Sequence, residues 1–152
     1  DYVPANSKKT HLNTLLETLY SIETNFLTSD FNRLYAHSKR KITQRSLLML
    51  YTNFEHITSL KRQLPYLRAL AKTHLLVVIF FENTELEELT SLKTTSISEI
   101  YEKTVAQEFV YNKQLMVKEL ERNGIQALLT KPKDLSINTI NKYLEIKAKG
   151  LL

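Results

Sequence analysis

The chain has 152 residues, room for one domain of ordinary size, and its 43% apolar and 24% charged residues are a globular rather than a disordered composition. It has no cysteine, which excludes disulfide scaffolds, thiolate zinc sites and cysteine nucleophiles, and its two glycines, Gly124 and Gly150, cannot build a glycine-rich phosphate cradle. The net charge of +5 is uneven: residues 1–75 hold eleven Lys/Arg against five Asp/Glu, and residues 76–152 hold ten against eleven.

Residues 1–9 are polar and contain Pro4, which predicts a loop. From Thr10 the apolar positions Leu12, Leu15, Leu16, Leu19, Ile22 and Phe26 have the spacing of an amphipathic helix. Asp30 can cap a second helix carrying Leu34 and Tyr35, which fades into the basic cluster Lys39, Arg40, Lys41 and Arg45. The run Ser46 to Tyr51 is short and apolar, as expected of a strand buried on both faces. Leu60, Leu64, Leu67, Leu70 and Ala71 then define a helix face, with Pro65 expected near its first turn, where a missing N–H costs least.

Leu75 to Phe80 is the clearest strand, rich in β-branched residues. Residues 82–95 are polar and acidic and carry no assignment. Ser96-Ile97-Ser98-Glu99 matches a capping box that opens a long helix with Ile97, Tyr101, Val105, Phe109, Met116 and Leu120 inward, ended by Asn123-Gly124. Ile125 to Leu129 is a third strand. Asp134 or Ser136 starts a last helix with Ile137, Ile140 and Leu144, which stops at Gly150.

Strands separated by crossover helices run parallel, so the expected fold is α/β: a doubly wound, mostly parallel sheet with about three strands, in chain order, and five helices on its two faces. The longest apolar run, Leu75 to Phe81, is far shorter than the ~20 residues of a spanning helix, so no membrane contact by this segment is expected. Three strands are few for such a sheet, and the chain starts at Asp1 rather than methionine; both are expected of a processed product or an excised piece of a longer protein, with the N-terminal strands of the sheet missing.

Little here carries chemistry. His11, His37, His56 and His74 are never three or four residues apart, so no helical metal pair forms. The run Glu82, Glu85, Glu87, Glu88 reads as a solvated loop and helix start, and Asp134-Leu135-Ser136 as a helix cap rather than a metal motif. Thr52 and Asn53 directly follow the first strand, and ligands of open parallel sheets bind at the carboxyl ends of strands. With Thr10 they could offer a hard cation hydroxyl and amide oxygens but no carboxylate.

The run Arg45 to Asn53 resembles the strand and Thr-Asp turn of a von Willebrand factor A-like domain. The stretch Leu64 to Val78, the helix residues Leu15 to Tyr20 and above all the ending Asn141 to Leu152 are similar to the bacterial family "domain of unknown function 58". The resemblance covers the whole chain and implies that residues 1–152 are the C-terminal portion of a von Willebrand A-like, doubly wound domain. It also implies a degenerate metal-ion-dependent adhesion site, with Thr10 as its threonine and Thr52-Asn53 as its turn. Asn53 stands where the family has aspartate, and no Asp-x-Ser-x-Ser motif is present, so no cofactor is expected and Mg²⁺ only in a complete parent domain.

The absence of cysteine fits a reducing compartment and so a cytoplasmic location, and the resemblance further implies a protein partner, a MoxR-type AAA+ ATPase, and a tether to the inner membrane in preceding segments. The reading that follows is a non-enzymatic protein-interaction module. The alternatives are a small hydrolase, for which only Thr52, Asn53, Glu82 and Thr130 lie near strand ends, and a basic nucleic-acid-binding module, for which no aromatic-rich basic motif is present. An apolar first strand without its neighbour is also expected to pair, in a homodimer through residues 46–52, or to be covered by residues 1–9.

Overall fold

The computed structural model describes residues 2–151 apart from 5, 7, 9, 10, 24–28 and 92–95. It divides into two units, Asp1–Asp30 and Phe31–Leu152. The first contains helix α1 (His11–Tyr20), which buries none of its residues: Leu12, Leu15, Leu16 and Leu19 are all exposed. Ile22 lies beyond the helix end, while Thr10 and Phe26 fall outside the described residues.

The second unit runs α2 (Phe31–Lys41), β1 (Leu47–Tyr51), α3 (Ile57–Thr73), β2 (Leu75–Phe81), α4 (Thr84–Ser91), α5 (Ile97–Arg122), β3 (Gln126–Thr130), a 3-10 turn (Pro132–Asp134) and α6 (Leu135–Ala148). The sheet has the order β1-β2-β3 and both pairings are parallel, with Leu47 opposite Leu75 and Val77 opposite Gln126. This is the α/β sheet with chain-order strands that the alternation of helices and apolar runs predicts.

Side chains alternate across a strand, so β2 feeds two cores. Leu76, Val78 and Phe80 pack with Leu60, Leu67 and Leu70 of α3, Met116 and Leu120 of α5, and Phe31 and Phe54. Val77 and Ile79 face the other way, onto Leu135 and Ile146 of α6. Helices α2, α3 and α5 thus cover one face, and α6 the other.

Three expectations need correction, and the stretch after β2, which carries no assignment beyond a helix start, adds a helix to the five expected. Strand β1 is only half-buried from Leu47 to Leu50, because it is an edge strand with one neighbour among the described residues. Pro65 lies deep inside α3 rather than in its first turn, because the helix begins at Ile57. Residues 84–91 form α4, capped by Asn83, whose Oδ1 accepts the backbone N–H of Glu85 (3.1 Å) and of Leu86 (3.2 Å). In α6 the stripe Ile137, Ile140 and Leu144 faces solvent, and the buried positions are taken by Leu135, half-buried, and Ile146.

Helix α5 explains a fifth difference. Its 26 residues span about 39 Å, whereas the seven-residue β2 spans about 23 Å. The helix ends where β3 begins, so its first half overshoots the carboxyl ends of the strands. Ile97 is therefore 88% and Tyr101 71% exposed, against the expectation that they point inward, while Ala106, Met116 and Leu120 are buried. The capping box forms as the sequence predicts: Ser96 Oγ accepts the Glu99 N–H and Glu99 Oε2 the Ser96 N–H, both 3.3 Å. At the other end the Ile125 N–H returns to the Leu120 carbonyl (3.0 Å) and that of Gly124 to Glu121 (2.9 Å), a Schellman turn that needs the positive φ of 72° at Gly124.

Candidate functional site at the carboxyl edge of the sheet

The turn after β1 is held from three sides. Thr52 extends the strand pairing through its N–H to the Ile79 carbonyl (3.1 Å). Phe54 is buried, its ring stacked on Phe31 with centroids 5.5 Å apart and edge-on to Phe80 at 6.3 Å. Asn53, between them, is exposed, and its Oδ1 accepts a hydrogen bond from the Lys113 ammonium of α5. The same ammonium donates to the Phe54 carbonyl at 2.8 Å. Burial pushes the Lys113 ammonium below the ordinary lysine range, against a smaller upward pull from the Glu55 carboxylate.

After β2, the Glu82 N–H donates to the Thr130 carbonyl (3.0 Å), and Asn83 starts α4. After β3, Thr130 is buried; its Oγ1 accepts from Asn138 Nδ2 (2.8 Å) and donates to the Lys131 carbonyl (3.3 Å). Lys131 pairs with Glu87 at 2.7 Å, and that hydrogen bond and charge hold its ammonium above the usual lysine range.

Helix α4 packs on the overshooting part of α5, and together they wall a cleft of about 520 Å³ over the strand ends. Leu86, Phe109, Val110 and Leu129 supply its apolar surface, and Asn53, Glu55, Glu82, Asn83, Glu87, Lys113 and Gln114 its polar rim. Such a mixture of apolar wall and few polar groups suits a bound side chain or small ligand.

The structure places the sequence-derived candidates unevenly. Thr52 and Asn53 sit at the carboxyl end of β1, but Thr10 lies outside the described residues. The side-chain oxygen of Asn53 is already engaged by an ammonium, which repels a second cation at that atom. Among the described residues no three His, Asp or Glu side chains converge as a metal set. Of the strand-end residues a hydrolase would need, Thr130 is buried and committed to Asn138, and among the described residues the cleft lining includes no serine, threonine or histidine. His56 packs its ring against Phe109, 5.9 Å between centroids. Lys113 escapes sequence reasoning because its partners lie 60 and 59 residues away, and no local pattern signals such a pairing.

These features define an open, parallel α/β protein with a mixed polar and apolar cleft at the carboxyl edge of its sheet. Comparison with protein-family models, curated proteins and solved structures finds no match to the chain. No helix among the described residues is long and apolar enough to cross a membrane.

Proposed function

We propose that the chain is the C-terminal portion of a von Willebrand A-like domain of the "domain of unknown function 58" type and acts as a non-enzymatic protein-interaction module. Its carboxyl-edge cleft receives a side chain of a protein partner, for which a MoxR-type AAA+ ATPase is the candidate. The observation that carries this reading is the cleft itself. It is built over the strand ends by α4 and α5, and its turn is fixed by the Lys113 contacts to Asn53 and Phe54. A site pinned in this way is preorganised, which lowers the entropic cost of docking.

Of the adhesion-type turn Thr52-Asn53, Asn53 lines the cleft with its Oδ1 engaged by the Lys113 ammonium, while the Thr52 N–H is engaged by the Ile79 carbonyl. No cofactor belongs to this reading. Titration of the purified chain against a MoxR-type ATPase tests it, with Lys113→Met and Leu86→Asp as variants. Binding by the wild type that weakens about tenfold or more in both variants, roughly 1.4 kcal/mol or more, is the expected result. Equal binding by the variants, or none by the wild type, overturns the reading.

A further inference from the structure

From Phe31 to Phe81 the sequence has nine Lys/Arg and one acidic residue, Glu55. Part of this charge has a structural explanation. Lys39, Arg40 and Lys41 occupy the last turn of α2, where cations complement the helix dipole, and Lys72 does the same in α3. Lys61 and Arg62 have no such explanation. They lie in the second turn of α3, past its first turn and far from its last, where the dipole offers a cation no stabilisation. Lys61, Arg62, Arg68 and Lys72 are all exposed, and none forms an ion pair with a described residue.

Pro65 adds an independent observation. It lies on the exposed side of α3, in the helix interior, where proline costs about 3 kcal/mol. Its ring is not part of either core. With half-buried Leu64 and Ala69 it forms the floor of a shallow groove of about 410 Å³ flanked by Lys61, Arg68 and Lys72. From Lys61 to Lys72 the groove extends about 16 Å along the helix.

We propose that this outer face of α3 is a second docking surface, separate from the carboxyl-edge cleft, and that its occupant is an acidic amphipathic helix of a protein partner. The flanking cations meet its carboxylates, and the Leu64, Pro65 and Ala69 floor meets its apolar seam. A nucleic acid fits less well. Its phosphates would satisfy the cations and leave the apolar floor uncovered, and among the described residues the groove lining offers no aromatic ring for a base to stack on.

Fluorescence anisotropy with a synthetic helical peptide, Leu on one seam and Glu on both flanks, tests the proposal. The controls are a scrambled peptide of the same composition and a single-stranded oligonucleotide of equal charge. The amphipathic peptide is expected to bind about tenfold or more tighter than either control, and to lose this in Arg68→Glu, a charge reversal at an exposed site. Pro65→Ala is expected to weaken binding several-fold while raising thermal stability, a combination that a merely structural proline would not give. Lys113→Met, in the other cleft, is expected to leave peptide binding unchanged.

Equal or tighter binding of the oligonucleotide or the scrambled peptide overturns the proposal, as does the absence of binding. So does binding that survives Arg68→Glu or is lost in Lys113→Met. Salt-sensitive self-association that Arg68→Glu abolishes without peptide would assign the groove to a second copy's acidic α4 and equally overturn it.

Discussion

Lys113 shows how a single side chain can be electrostatically costly and structurally useful at once. Its ammonium makes two hydrogen bonds, to Asn53 and to the Phe54 carbonyl, yet burial lowers it below its ordinary value of 10.5. A lysine lowered on folding binds fewer protons in the folded than in the unfolded chain, across the window between its lowered value and 10.5. Unfolding free energy therefore rises with pH in that window. Urea midpoints measured from about pH 8 to 10.5 are expected to climb more steeply for the wild type than for Lys113→Met. At neutral pH the two opposing effects leave Lys113→Met within about 1 kcal/mol of the wild type. Faster amide exchange at residues 53–56 is expected to report the lost tether.

At the scale of elements, α3 and α5 give opposite tests of local chemistry. Proline removes one N–H from the α3 ladder and leaves the Lys61 carbonyl without its helical partner, so Pro65→Ala at this exposed position is expected to stabilise the fold by about 1–3 kcal/mol. Gly124 closes α5 at φ 72°, with open space where a Cβ would stand. Strain rather than collision makes Gly124→Ala destabilising, by about 1 kcal/mol. Thermal or urea unfolding measures both. A fall in stability for Pro65→Ala would mean that its ring packs against something beyond the α3 surface.

The same elements show what a sequence can convey. Strand β2 is legible because a continuous run of β-branched and aromatic residues is buried on both faces. Strand β1 is also a continuous apolar run, of Leu and Met rather than β-branched residues, but it sits at an edge, and a local run does not say how many neighbours a strand has. Helix α5 is legible from its capping box to its Schellman turn. Its overshoot past the sheet depends on relative lengths, which periodicity alone does not reveal. In α6 the apolar residues Ile137, Ile140 and Leu144 mark the outer face, while half-buried Asn138 and Lys142 face inward, Asn138 to hold Thr130. A pattern rule that sends apolar residues inward inverts that face. The cap Asn83 with Glu85 and Glu87 behind it carried the signal for α4. The Lys113 tether carried none, because it joins residues distant in sequence.

At the scale of the whole molecule, the β1 edge of the sheet is a surface through which two copies of the chain can meet. The Thr52 N–H points to β2, at the Ile79 carbonyl. Backbone groups of a parallel strand alternate, so the N–H groups of Leu47, Met49 and Tyr51 point away from β2, toward an edge with no strand partner among the described residues. An apolar edge of this kind is a template for pairing. Two copies related by a two-fold axis near Met49 could satisfy it antiparallel, with each Tyr51 N–H donating to the other chain. Light scattering after size exclusion is expected to find a dimer. Tyr51→Pro removes one outward donor per chain and leaves the inward ladder to β2 intact, because proline is tolerated on an edge. It is expected to shift the chain to monomer while its circular dichroism stays that of the wild type. A wild type that remains monomeric as its concentration is raised, or a Tyr51→Pro chain that still dimerises, would remove β1 as the contact and leave its edge solvated.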